Sequence, residues 1–400
     1  MQKKIIRQYY ILSCLFSAGG MSVISAVYVT FLIHNGLNLF QVNLVNAIYF
    51  LTLFLCEIPT GAFADIFGRK KSFVTACALM SISMFVYGSS HTFAGFVLAE
   101  IIAAVGSTFR SGAFQAWLVD SLKHFGHDGE DLNHIFGREN LIRQIGGAVG
   151  AVAGSYLAAR NPALPWFAGG TVMALTTVFA FLIMKEEYFV RGVFSFKKGL
   201  HSMRNVALSS IRYGRSHKAV RFILIITSIQ IFSVQALNMY WQVFFKDLKV
   251  SEEHLGFLYT GMMFAVAFGA FIISKLSCKG KEKKMIIQST VCTGVLVIAT
   301  VFASGLPFII FIFLLHEIPR GCCTPLIDSY LQKRIPSEER ATISSFCSIA
   351  PHIGGAVGLV FSGLIAEYFG ISASWIVAGL SLIIGALLVA RNGDHESGSG

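Results

Sequence analysis

Charge is scarce in this 400-residue chain: 13% of its residues are Asp, Glu, Lys or Arg, against 54% hydrophobic. A soluble domain carries roughly twice that share of charge, so a water-soluble fold is excluded. Acidic residues are the scarcest, 21 against 32 Lys and Arg, which leaves a net charge of +11. The surplus suits nucleic acid only if it lies on one face. Here it falls between apolar runs, the distribution that membrane orientation demands, and nucleic acid is not expected as a partner. The eight cysteines sit in apolar runs or, for Cys278, in a basic connection, so there is no disulfide framework. Adjacent Cys322 and Cys323 read as small residues easing helix packing. His316, Glu317, Cys322 and His352 match no metal-ligand spacing, and no metal site is expected. Nor is there a nucleotide-binding loop or a nucleophile constellation, which excludes an ATP-driven pump and a membrane enzyme and leaves no cofactor implied. The lack of any N-x-S/T site points to a bacterial membrane.

What the chain has is apolar runs. Twelve spanning helices are predicted, at 9–33, 41–64, 72–89, 93–122, 134–159, 164–184, 219–245, 252–277, 284–304, 306–332, 341–368 and 371–390. The first run follows Lys3, Lys4 and Arg7 like a secretory signal, but it is too long and lacks a cleavage site, so it reads as a retained helix. An even count puts both termini on one side. In or beside the connections on that side lie 27 of the 32 Lys and Arg, which makes it the cytoplasm. Residues 1–184 and 219–390 thus read as two six-helix halves, with a linker at 185–218 and a disordered tail at 391–400. In the linker Leu200, Met203, Ala207 and Ile211 recur at helical spacing among eight basic residues. An amphipathic helix on the anionic inner leaflet is expected there.

One short connection stands out. Gly61 to Lys71 reads GAFADIFGRKK, of the form G-x-x-x-D-x-x-G-R-K-K, between the second and third apolar runs. Gly61 permits close helix approach, Gly68 a turn closed to residues with a Cβ, and Asp65 is an acid in a strongly cationic loop. The stretch resembles the signature loop between helices 2 and 3 of the major facilitator superfamily of secondary transporters, with every signature position filled. The resemblance implies an all-α membrane protein of twelve helices, a cavity between its halves, and transport by alternating access. It also implies gating by Gly61, Asp65, Gly68, Arg69 and Asp120. Asp65 is expected at the amino end of helix 11, around 341–345, and Arg69 at Asp120. The branch it resembles is that of the bacterial drug:proton antiporters, with two departures. The glycine-rich stretch of helix 5 lacks the Gly-Pro pair, and the basic residue expected early in helix 4 is displaced, with Arg110 nearest.

An internal repeat supports the same reading. IGGAVG occurs at residues 145–150 and again at 353–358, an offset of 208. At that offset Gly61-Ala62-Phe63 matches Gly269-Ala270-Phe271, and Asp120-Ser121 matches Asp328-Ser329. An offset of six helices means a parallel repeat: two halves related by an axis along the membrane normal.

Ionisable and polar groups inside the runs are the candidate working parts. Glu57 lies about 12 Å above Asp65 and Arg110 about 15 Å above Asp120 along their helices, so the two can meet at mid-depth. Glu100 lies about 15 Å further out, where it can reach outer water. Glu317 and Arg320 stand three apart on helix 10 beside His316, with Pro319 disturbing the preceding turn. Glu57, Glu317 and His352 are candidates for proton coupling. Arg110, Arg143, Gln144, Gln235, Asn238, Trp241, His316 and Arg320 are candidates for substrate contact, and the amides and aromatics of helix 7 suit an organic molecule. The pairs can equally be structural, and His352 a satisfied core histidine.

The reading is a monomeric, multi-pass transporter of the bacterial inner membrane, moving a small organic solute with the proton gradient as energy source. Export of amphipathic compounds such as drugs comes first. Transport of an anionic metabolite such as a carboxylate or siderophore is the alternative, prompted by the arginines. A non-transporting membrane receptor is remote, because it needs neither a gating loop nor a twofold repeat.

Overall fold

In lipid a chain has to satisfy every backbone N–H and C=O from within, so apolar runs of this length become helices. The computed structural model describes residues 2–126, 132–189, 217–335, 347 and 351–391, and no strand occurs among them. The first helix, α1, is bent: Gln2–Gly19 continues as Ser22–Ser25 and Tyr28–His34, with a turn of 50° before the last piece. Then come α2 (Leu39–Phe67), α3 (Arg69–Ser89), α4 (Phe93–Arg110 and Ala113–His124), α5 (Leu132–Arg160) and α6 (Leu164–Ile183). The second series is α7 (Lys218–Asp247), α8 (Glu252–Lys275), α9 (Glu282–Phe302) and α10 (Leu306–Leu315 and Glu317–Gln332). The last helical stretch, Pro351–Arg391, has 41 residues and a single non-helical one, Gly370. At about 1.5 Å per residue it is twice as long as a bilayer is thick. Gly370 adopts φ 85°, a conformation that costs a residue with a Cβ dearly, and divides it into α11 (351–369) and α12 (371–391).

Nine helices among the described residues are long and apolar enough to cross a membrane, ten with bent α1. Dividing the last at Gly370 makes eleven. The twelfth is α5, whose 29 residues carry Arg138, Glu139 and Arg143 at one end. Local chemistry fixes several ends. Thr92 caps α4 by accepting from the Gly95 N–H, and Pro165 and Pro307 stand in the first turns of α6 and α10. The break in α10 falls at His316, next to Leu315, whose carbonyl the ring of Pro319 would strike. The start expected for helix 11 at 341, the amphipathic helix of the linker and the tail lie outside the described residues, apart from the linker's ends and Arg391, which belongs to the last helix and not to a disordered tail.

Two compact units emerge. The first comprises α1, α2 from Ile48 onward, α3 to α6, and the stretch Phe245–Thr260 where α7 gives way to α8. Its interior is aromatic: Tyr87 stacks on Trp166 at 4.2 Å, with Tyr28 and Phe31 against the same indole. The α7–α8 stretch is held by Ser155, which donates to the Glu253 carbonyl, and by Glu252, which pairs with Lys246 at 2.9 Å. The second unit comprises Asn38–Ala47, α7 up to Phe244, and α8 from Gly261 onward. There Trp375 lies buried against Phe313 and Phe244 and donates to the Ala236 carbonyl. Asn43, fully buried, donates to the Leu359 carbonyl and to Ser362 Oγ.

The repeat is visible inside each unit. A Cβ on Gly146 or Gly150 of α5 would lie 3.1 Å from the Cys14 carbonyl oxygen or 2.5 Å from that of Ala18, both on α1. On α11, Gly354 stands in the same relation to Ser228 of α7, and Gly358 to Phe232. The IGGAVG runs are thus the surfaces on which α1 and α7 approach at backbone distance.

Candidate functional site

Unit 1 carries the signature loop. Gly68 turns the chain with φ 101° between α2 and α3. Arg69 Nη2 lies 2.8 Å from Asp65, and its Nε 4.0 Å from Asp120 at the end of α4. Asp65 is two-thirds exposed, so this is a positional contact more than a stabilising one. Sequence reasoning missed the main ligand of the loop. Glu186, just past α6, accepts from the backbone N–H groups of Arg69 (2.6 Å) and Lys70 (3.0 Å), the free donors at the start of α3. Its carboxylate fills the space that a Cβ on Gly68 would need. Burial pushes the Glu186 carboxyl above its ordinary range, and the two N–H groups pull it back. The segment is tied down further: Trp117 Nε1 donates to the Lys185 carbonyl, and Tyr188 lies against Trp117 and Ser121. Burial pushes the Tyr188 hydroxyl up to about 12. The expected contact of Asp65 with 341–345 falls outside the described residues. Among the described residues, none lies within 4 Å of a Cβ on Gly61.

At mid-depth in the same unit, Glu57 and Arg110 are not joined by an ion pair. Glu57 accepts from Ser111 Oγ at 2.6 Å, where α4 breaks, and the Arg110 guanidinium lies over the Phe16 ring at 4.7 Å. Arg143 donates to Asn140 at 2.7 Å and stands 4.0 Å from Glu139, which also accepts from Ser13. Gln144 is half-buried beside it. Glu100, expected near outer water, is instead 2% exposed and takes hydrogen bonds from Tyr87 and Tyr28. Counting along a helix gives depth but not direction. Glu100 points inward, at residues of α1 and α3.

Unit 2 brings His316, Glu317 and Arg320 together. Glu317 is 1% exposed, and Arg320 Nη1 reaches both its oxygens, at 3.1 and 3.2 Å. His316 Nε2 lies 3.4 Å from Glu317 at ion-pair range, without the alignment of a hydrogen bond, while its Nδ1 meets the Phe313 carbonyl. A third of Arg320 is exposed, so the pair is closed on one side only. The helix 7 residues divide. Gln235 and Trp241 are buried in the unit, and Asn238 donates to Gln235 at 3.3 Å. It is Gln230, a turn earlier, that faces a cavity of about 300 Å³ together with Arg320. His352 is half-buried near the start of α11. Among the described residues no group of three His, Cys, Asp or Glu could hold a metal ion.

At the α8–α9 connection of unit 2, the repeat counterpart of the signature loop, the charges are reversed. Glu282, buried at the start of α9, binds Lys333 past the end of α10 at 2.6 Å. A loop cation meets an α4 carboxylate in unit 1; here an acid after the loop meets a cation.

Comparison with known proteins gives a consistent picture. The model of the family described as Major Facilitator Superfamily matches residues 10–240 and 223–398. An uncharacterised MFS-type transporter of Bacillus subtilis, YxaM, is 24% identical over 92% of this chain and 91% of its own. The class C tetracycline resistance protein of Escherichia coli is 23% identical (86% and 83% covered). The quinolone resistance protein NorA of Staphylococcus aureus is 20% identical (99% and 98% covered). Among solved structures, the nucleoside transporter NupG superposes with a TM-score of 0.78 at 14% identity, covering 98% of each chain, a likeness of fold alone.

Proposed function

Because the chain belongs to the major facilitator superfamily, we propose that it exports small amphipathic organic compounds by alternating access, driven by a proton gradient. Membership makes it a multi-pass membrane transporter; solute, direction and coupling are the proposal. Export is supported by relatives named for resistance to tetracycline and quinolones. In this reading the signature-loop end and both termini face the cytoplasm of a bacterial inner membrane. The protein acts as a monomer, and its basic linker meets anionic lipid.

Coupling rests on one observation: Glu317 is buried within α10 beside a cation that is itself partly exposed. A carboxylate left there without a cation is costly, so movement of Arg320 toward solute or water is balanced by a proton arriving on Glu317. Glu57 and His352 are the secondary candidates. Arg69, Asp65, Asp120, Gly61 and Gly68 act as the gate at the cytoplasmic end. The test uses purified protein in liposomes with an imposed proton gradient. Glu317→Gln should abolish accumulation against a gradient while solute binding persists; accumulation at the wild-type level overturns the coupling role.

A second reading, transport of an anionic metabolite, is favoured by Arg110. Its guanidinium has an aromatic face but no acceptor among the described residues, and Arg143 stands nearby. Flux of a polycarboxylate, without flux of a lipophilic cation, in the same liposomes would decide for it.

A further inference from the structure

The cavity of unit 2 lies between α7, α9 and α10, with Leu382 of α12 at its back. Its walls combine apolar side chains with an unusual balance of hydrogen-bonding groups. The hydroxyls of Thr227, Thr290 and Thr293 all line it, and each spends its one proton on a carbonyl of its own helix, at 2.7, 2.8 and 2.9 Å. What each can offer a ligand is therefore an oxygen lone pair. Gln230 spends Nε2 on Thr290 and on Cys323 Sγ, leaving Oε1 without a donor among the described residues. Arg320 supplies the one positive charge of the lining among the described residues, and that charge is matched by Glu317.

Asp328 remains. It follows Arg320 by eight residues on the same face of α10, about 12 Å along the axis, and is exposed. Its counterpart in the repeat, Asp120, has Arg69 at 4.0 Å. Asp328 has no basic group within ion-pair distance among the described residues. Lys333 is held by Glu282, and Arg334 bonds the Tyr330 carbonyl and lies over its ring. Among the described residues the lining therefore carries one carboxylate without a basic partner, together with acceptor oxygens on Gln230 and the three threonines. Apolar Ile231, Val234 and Ile327 stand beside them, which suits an organic ion better than a bare metal ion.

We propose that this cavity binds an organic ammonium group, with Asp328 as its counter-ion and Gln230 Oε1 as its hydrogen-bond acceptor. This rests on the reading of the chain as a transporter of small organic compounds and narrows the solute to an amine with an apolar body. The test compares 4-phenylbutylamine, 4-phenylbutanol and 4-phenylbutanoate, one skeleton with three charges, by calorimetry on the full-length protein in detergent. The amine should bind tighter than the alcohol by on the order of tenfold, and the carboxylate weakest. Asp328→Asn should remove the preference and Asp328→Glu keep it. Equal binding of amine and alcohol, or preference for the carboxylate, overturns the proposal, and this wild-type comparison decides even if a variant fails to fold. Flux in liposomes separates the two readings. Amine binding without amine flux keeps the site and removes the transport role, whereas flux of other solutes without amine binding does the reverse.

Discussion

Glu100 shows at the residue scale what burial asks of an acid. It is enclosed by Tyr87 of α3 and Tyr28 of α1, with Trp166 of α6 stacked behind, and its hydrogen bonds come from phenols. Removing one donor from a buried carboxyl costs about 1–3 kcal/mol. Tyr87→Phe should accordingly lower the unfolding temperature of the purified protein, and Glu100→Gln should lower it less, because the amide oxygen still accepts. A larger loss in Glu100→Gln would mean the carboxyl's own charge or proton matters more than the donors. Such a cluster was out of reach of sequence reasoning. Depth along α4 is countable, but the side chain's direction depends on phenols 13 and 72 positions away. The same limit applied to Glu57 and Arg110: they stand near the same break in α4, one turned to Ser111 and the other to Phe16.

Elements meet their partners through surfaces whose tolerance can be graded. Gly269 of α8 is packed so closely on α10 that a Cβ would collide with the Ile318 carbonyl, whereas its repeat counterpart Gly61 has no such neighbour among the described residues. Gly269→Ala should therefore reduce the yield of folded protein, and Gly61→Ala should leave it unchanged, as read by size-exclusion profile and melting temperature. The loop after α2 makes a different prediction. Burial raises the folded-state carboxyl of Glu186 above its unfolded value, so the folded loop binds the proton more tightly than the unfolded one. Its contribution to stability is full below the ordinary carboxyl range and is lost as pH rises through the raised value. Hydrogen exchange of the Arg69 and Lys70 amides, corrected for intrinsic rate, should show more protection as pH falls through that range. Glu186→Gln should flatten the dependence. The loop itself was legible because its residues are consecutive; Glu186 comes from 117 positions away. A trace of it was present, since Glu186 and Glu187 are the only acids in the basic linker.

Over the whole molecule, the class and the repeat were legible because membranes permit few solutions. Apolar runs set the helices, and IGGAVG recurs where α5 meets α1 and where α11 meets α7 at backbone distance. Breaks within helices were less so. Pro319 announced the one at His316, whereas those in α1, after Gly19–Gly20, and at Ser111–Gly112 of α4 fall inside stretches read as single spans. The joint between α11 and α12 carries a practical consequence. With one residue at the turn, that end offers no slack for an antibody, a protease or a grafted tag. A ten-residue epitope inserted at Gly370 should abolish recovery of intact protein, while the same epitope at Gly36, between α1 and α2, should be carried and recognised.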